Sequence, residues 1–467
     1  MSYCGYVTTL KNVRPHSNAD RLQLADCFGN TVCVGLDAKE GDVVVYFPTD
    51  GQLSEEFCEK NDLVRRKDEN GNPAGGYLEP GKRNIKAIRL RGEKSDGMTL
   101  PLTAFSYTGV DLATLTIGTT ITVLNGYDIC CKYVPRSNHR TGHPSGGNHT
   151  RKHKVPTAPL FMEHADTEQL AYNLDAFNPG DEIEITLKMH GTSQRTAHLP
   201  VLTGYKRTFW EKLTHKEGTP VYAWGGVTGT RRTVLDNYDG GYYGSNEFRE
   251  QHAKVFDGKL WKGETIYYEV VGFTHTGVPI MASANNKKIS DKEFVKQYGE
   301  TTVFSYGCVP SVDNMPADYV NENGELKLAE TIPQSDLYVY RMTMTNEDGE
   351  VVEYTPDFMR YRCEQMGVKT VPVLWKGIIP ENPGSVDDDT ITAGEWIKNV
   401  AERFYDGPDP IGKTHVREGV VVRIINRPKF CAYKHKNFSF KVLEGLIKDT
   451  ADAPDMEEAD GLEETAE

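Results

Sequence analysis

The chain has 467 residues, 26% of them charged and 38% apolar, with a formal net charge of −14 at pH 7. That length argues for roughly two to four domains and against one small module. No apolar run nears the roughly 18 residues of a membrane span, the start MSYCGYVTTLKNV lacks a signal-peptide layout, and nine cysteines without a CxxC pair argue against a disulfide scaffold or zinc ribbon and for a reducing cytoplasm.

The first 126 residues read as all-β. Short β-branched runs such as Val32–Leu36 and Val43–Phe47 are bounded by Gly, Asn and Asp. Strands at this spacing suggest a small barrel. Between Lys60 and Lys94 lies a basic stretch carrying Arg65, Arg66, Lys67, Lys82, Arg83, Lys86, Arg89 and Arg91. It is either a solvated face or a nucleic-acid contact.

Residues 127–159 read as a flexible basic linker. From Ile129 to Met162 there is no acid, and the centre TGHPSGGNHT is turn chemistry. His149 and His153 stand four apart, a spacing seen at metal sites. Without a helical pattern around them, solvated linker histidines are the simpler reading.

Residues 160–448 form a larger unit of irregularly alternating strands and helices, which favours α+β over a doubly wound parallel sheet. Ile183, Ile185 and Leu187 alternate with polar residues as in a half-buried strand. Helices are expected over 246–256, from Thr355-Pro356 to Gly367, and over 395–404. Strands are expected at Gly419–Ile424 and Phe438–Val442. The last segment, 449–467, holds nine acids and no base, leaving −5 for the rest. It reads as a disordered acidic tail.

Gly407-Pro-Asp-Pro-Ile-Gly412-Lys413-Thr414 matches the pattern GxxxxGK(S/T) of phosphate-binding loops. The context is inverted, with a helix before it and a strand after it. Pro408 and Pro410 also remove amides that a phosphate nest would use. A surface connector is expected.

The informative segment is Ile185-Thr-Leu-Lys188-Met-His190-Gly191-Thr192-Ser193-Gln-Arg195. A lysine at the end of an apolar strand is partly desolvated, which favours a neutral, nucleophilic amine. Gly191 lets a ligand approach the backbone. Taken alone, such a lysine is more often a snorkelling surface residue.

The stretch KMHGTS resembles the KxHGT nucleophile motif of nick-sealing RNA ligases, a branch of the covalent nucleotidyltransferases. Further motifs follow in the family's order. Glu269 in Ile266-Tyr-Tyr-Glu-Val-Val-Gly272 resembles the strand that presents a glutamate to the ribose. Val303-Phe304-Ser-Tyr306 resembles the next strand, whose aromatic stacks on adenine, with Tyr306 the alternative to Phe304. Glu418 in Arg417-Glu-Gly-Val-Val-Val-Arg423 resembles the EGxV motif that serves a catalytic metal. Lys441 in Phe438-Ser-Phe-Lys-Val442 resembles the last motif, whose lysine touches the α-phosphate. That motif usually has two lysines one residue apart. Ser439 stands where the first would be, so Lys434 or Lys436 is a substitute.

The resemblance implies ATP and Mg2+ (or Mn2+) as cofactors, and RNA with 3′-OH and 5′-phosphate ends as partner, as in a nicked duplex. Lys188 would carry AMP. His190, Gly191, Arg195, Glu269, Phe304, Glu418 and Lys441 would surround the ATP, with Arg231, Arg232 and Lys436 as further phosphate contacts. A ligase of DNA or hybrid strands, a guanylyltransferase and a non-catalytic RNA-binding protein are the alternatives. Near the start, Val13-Arg-Pro-His16-Ser-Asn18-Ala-Asp20-Arg-Leu22 is similar to the HPNADKL stretch of tRNA-binding OB folds. An OB module ahead of a nucleotidyltransferase domain resembles the Deinococcus-type RNA ligases. The expected fold is therefore α+β: an N-terminal OB-like barrel over 1–126, then antiparallel sheets flanked by helices.

Overall fold

In the computed structural model the described residues are 3–135, 156–164, 167–213, 218–231, 233–235, 238, 243, 245–311, 332–386 and 389–449. Arg232, the linker histidines and the acidic tail beyond Asp449 lie outside them. Among the described residues no helix is long and apolar enough to cross a membrane. None of the nine cysteines is in a disulfide.

The chain divides into two compact units. One is built from Met1–Arg136, Ala284–Thr302 and Lys436–Ala453, the other mainly from Ser137–Ser283 and Val303–His435. The expected continuous domain over 160–448 is thus interrupted, because two of its segments pack with the N-terminal region.

In the first unit, Met98–Pro101, Val43–Phe47, Gly5–Thr9 and Thr120–Ile121 form a four-stranded sheet in that order. Lys11–Pro15, Gln23–Cys27 and Asn30–Val34 form a three-stranded meander. These are open strand orders, and among the described residues no sheet closes into a barrel. Val7, Val45, Phe47 and Ile121 point into a core shared with Phe57 and Phe105. The last two rings stack with centroids 5.1 Å apart. The period-2 pattern of the strands drives this arrangement, since it sends alternate apolar side chains to one face.

Phe438–Val442 is not a strand. It opens a helix, Phe438–Asp449. Five residues of FSFKV alternate by chance, while over the full segment Phe438, Val442 and Leu443 are buried at helical spacing. Asn437 starts the helix: its Oδ1 accepts from the Ser439 and Phe440 amides at 2.7 and 3.2 Å.

This helix explains much of the basic stretch. Lys82 and Lys86 pair with Asp449 at 3.2 and 2.5 Å. Arg89 pairs with Asp291 at 2.7 Å. Lys94 lies over the Phe438 ring at 5.3 Å. Lys441 meets Asp96 at 2.6 Å, both largely buried, and Lys448 meets Asp50 at 3.1 Å. Lys82, Lys86 and Arg89 of the stretch are therefore neutralised inside the unit.

The second unit holds two mainly antiparallel sheets. One runs Glu168–Gln169, Cys431–Lys436, Gly419–Ile424, Glu182–Lys188, Val373–Ile378. The other runs Thr219–Gly229, Thr192–Lys206, Glu264–Gly272, Ser335–Thr345, Val351–Glu353. Helix Pro356–Met366 starts at Thr355, with Pro at its first turn, and stops at Gly367 with φ +70°, as the sequence signals predict. Helix Ala393–Glu402 is fixed by a Thr392–Glu395 capping box. Its Ile397 and Val400 pack on Ile183, Ile185, Val420 and Val422.

Lys441 offers a direct check on its role. Losing one partner of a largely buried ion pair costs on the order of 3 kcal/mol. We expect Lys441→Met and Asp96→Asn each to lower the thermal midpoint, while the surviving folded protein keeps the activity proposed below. A variant of normal stability and no activity would return Lys441 to the reaction.

Candidate active site

The second unit's site is set by strand register. Glu182–Lys188 buries Ile183, Ile185 and Leu187 on one side. Strand alternation turns Glu184, Thr186 and Lys188 to the other, where all three line a cavity of about 110 Å³. Lys188 pairs in register with Gly419 on the neighbouring strand. Glu418 immediately precedes that glycine, and its Oε1 lies 2.7 Å from Lys188 Nζ. The carboxylate is 2% exposed and the lysine 19%.

The turn after Lys188 leads into Thr192–Lys206 and is tightly held. Gly191 lies so close to the next strand that a Cβ there would stand 2.4 Å from the Val270 carbonyl and 2.9 Å from Glu269 Cγ. The His190 amide donates to Tyr306 Oη at 2.6 Å. Burial pushes the Tyr306 hydroxyl well above the ordinary range for a phenol, so that oxygen stays protonated. Arg249, almost fully buried, donates to the Ser193 carbonyl and to Thr192 Oγ1. His190 Nδ1 stands 3.9 Å from Glu418 Oε2. Sequence reasoning missed Tyr306 as a brace and missed Arg249 altogether, since neither sits near the Lys188 motif in the chain.

Glu269 pairs in register with Ser193 and lines the cavity. The strand paired to it on the far side is Ser335–Thr345, not Val303–Tyr306. Val303–Tyr306 lies outside the strands, and Tyr306 adopts φ +49°. Phe304 is 2% exposed and packs edge-on against His190 and His415 at 4.6 and 5.2 Å. The aromatic that lines the cavity from the strand beside Glu269 is Tyr340, which hydrogen-bonds Ser193 Oγ at 3.0 Å. The expected strand placement of Phe304 is corrected accordingly.

The last motif is also corrected. Lys434 lines the cavity, on Cys431–Lys436 beside the Glu418 strand. Lys436 pairs with Glu444 at 2.8 Å and Lys441 with Asp96, both within the first unit. Lys434 and Lys436 stand one residue apart on one strand, whereas Ser439 lies on the helix Phe438–Asp449. Arg195 points elsewhere: it donates to the Met162 carbonyl and lies over Phe161 at 4.2 Å. Burial lowers its pKa. Arg231 lines the cavity.

At the opposite end of the Lys188 strand, Glu184 takes two hydrogen bonds from Arg360, at 3.0 and 2.7 Å. Those bonds raise the Arg360 pKa. Arg423 stands opposite Glu184 in register, and burial lowers its pKa. The cavity thus runs from the Lys188 amine and the Glu269 carboxylate to a paired arginine end.

Among the described residues no cluster of three or more His, Cys, Asp or Glu forms a metal cage. Glu418 and Glu269 suit instead a hard divalent cation, which binds through one or two carboxylates and takes its remaining ligands from water and substrate phosphates. The phosphate-loop pattern at Gly407–Thr414 is occupied by its own chain. Asp409 Oδ2 accepts from the Ile411 and Gly412 amides at 3.1 and 2.6 Å. Those amides are not open to a phosphate.

Solved structures of a Naegleria gruberi RNA ligase share this fold. A variant with AMP and Mn is 17% identical, with a TM-score of 0.51 over 94% of this chain and 97% of that one. A variant with ATP and Mn gives 17% and 0.51 over 94% and 98%. The complex with PPi gives 17% and 0.50 over 93% and 97%. No protein-family model and no curated protein sequence matches the chain.

Gly191→Ala tests the tight approach of the turn. An added methyl against backbone costs about 3 kcal/mol. We expect a lower thermal midpoint and loss of the covalent labelling described next. A fully stable, active variant would show the turn to be looser than drawn.

Proposed function

We propose that the protein is an ATP-dependent RNA ligase that joins RNA 3′-OH and 5′-phosphate ends through a lysyl–AMP intermediate. The observation that carries this reading is Lys188 Nζ held 2.7 Å from buried Glu418 in a cavity that Glu269 and Lys434 also line. The shared fold of RNA ligase structures containing ATP or AMP with Mn supports it.

In the first step Lys188 Nζ, having lost a proton, attacks the ATP α-phosphorus. A P–N bond forms, the bond to the bridging oxygen breaks, and pyrophosphate leaves. Glu418 is the nearest acceptor for the departing proton. AMP then passes from Lys188 to an RNA 5′-phosphate oxygen, which frees the lysine. Finally the RNA 3′-hydroxyl attacks that phosphate and AMP departs, leaving a phosphodiester. Lys434 and Arg231 would offset the charge that builds on the phosphate oxygens. Glu269 would accept from the ribose hydroxyls, and Tyr340 would stack on the adenine. Bound Mg2+ or Mn2+, held through Glu418, would supply further charge neutralisation at the α-phosphate. The N-terminal unit would bind RNA, in the manner of an OB module. Reduced cysteines suit the cytoplasm.

Radiolabelled ATP tests the core claim. We expect an acid-labile AMP adduct on the wild type and none on Lys188→Ala, with the thermal midpoint of that variant preserved. Glu418→Gln should label about 10²-fold more slowly. An undiminished adduct on Lys188→Ala ends the assignment. Nicked duplexes with RNA or DNA on either side separate the RNA reading from a DNA or hybrid ligase.

A second pair of variants decides the aromatic. Tyr340→Ala should raise KM for ATP about tenfold, the usual worth of base stacking. Phe304→Ala should instead destabilise the fold by about 3–5 kcal/mol. The reverse pattern would restore Phe304 as the stacking ring.

A further inference from the structure

The first unit contains a second cavity, of about 390 Å³, remote in the sequence from Lys188, Glu269 and Glu418. That volume is within the range of about 300–1,000 Å³ typical of small-molecule sites. Its walls are largely apolar, with Ile85 and Met98 among them. Polar groups break the wall, Lys86 and Ser95 among them, and two carry buried acceptor oxygens without a partner. Asn84 is 5% exposed, and its side-chain oxygen is buried with no hydrogen-bond partner. Glu79 Oε2, on the same lining, is buried and unpartnered too.

Orphaned buried acceptors are uncommon in folded proteins and call for a cause. One water, whose share of liquid volume is about 30 Å³, would satisfy them but would leave most of the cavity unfilled. A flat apolar ligand carrying N–H donors on one edge answers both needs. Tyr77 also lines the cavity; its side chain is 58% exposed, and burial raises the pKa of its hydroxyl, so it reaches from the cavity edge toward the interior. Arg65, exposed on the same lining, supplies positive charge there. An aromatic ring and a guanidinium at the mouth of an apolar slot suit a nucleotide strand, with one base inside and its neighbour and phosphate outside.

The wall is braced rather than loose. His16 Nε2 donates to the Leu90 carbonyl at 3.1 Å, and its Nδ1 accepts from the Asn18 amide at 3.0 Å. Leu90 lines the cavity. The stretch that resembles tRNA-binding folds therefore holds the strand forming one side of the slot.

We propose that this cavity receives one unpaired, amino-bearing nucleobase of the RNA strand, read by Asn84 and Glu79. The proposal rests on the RNA-ligase reading for the identity of the strand. Carboxylate and amide oxygens accept from an exocyclic amino group, which adenine and cytosine carry and uracil lacks.

The test uses full-length protein without ATP and fluorescein-labelled RNA hexamers of A, C or U, read by anisotropy. We expect A or C hexamers to bind about tenfold tighter than U. Asn84→Leu should remove that preference. Arg65→Ala, a change at an exposed position, should weaken all three hexamers without unfolding the chain. Both variants should retain self-labelling by ATP. Equal wild-type affinity for the three hexamers would overturn the proposal, as would a preference that survives Asn84→Leu. Capture of free adenosine or cytidine with no hexamer bound would overturn it in favour of a small-molecule site. Loss of wild-type ATP labelling would instead strike the ligase reading, because hexamer binding is measured without ATP.

Discussion

The pairing of Lys188 with Gly419 across two antiparallel strands is the constraint on which the site depends. It delivers an amine from one strand end and a carboxylate from the loop before its partner to within 2.7 Å. A shift of one residue would turn Lys188 to the face that now buries Ile183, Ile185 and Leu187. Such a slip is opposed by every buried side chain on the strand, because a strand's faces exchange at each residue. The hydrophobic core beneath the sheet therefore sets the chemistry above it.

Bracing from outside the motif completes that geometry. Tyr306 holds the His190 amide, and Arg249 holds Thr192 and Ser193. The loop from Gly407 to Thr414 supports Tyr306 in turn: Gly412 packs so near Gly307 that a Cβ would lie 2.6 Å from its amide. A pattern that mimics a phosphate loop thus acts as a buttress. Its amides bind an internal aspartate, which removes them from competition for a ligand.

Charge in the first unit follows a similar logic. A run of cations that suggests nucleic acid is partly spent on Asp449, Asp291 and the Phe438 ring. Arg65 and Tyr77 remain exposed on the cavity lining. The basic stretch is thus divided between folding the C-terminal helix and facing solvent. Composition could not separate these uses, because a lysine paired with a distant aspartate and one awaiting a phosphate are the same letter.

By itself, the sequence determined the local features. These include the apolar alternation ending at Lys188, the strand with Glu269, the strand after Glu418, and the Thr355 helix start. Each is encoded by spacing or capping within about a dozen residues. Tertiary structure decided what depends on partners far along the chain. It set Tyr340 rather than Phe304 on the strand beside Glu269, and Lys434 rather than Lys441 on the cavity wall. It also turned Arg195 toward Met162 and folded 438–449 as a helix. The reason is physical: alternation over five residues fits either a strand or a helix segment, and only contacts made by the whole fold choose between them.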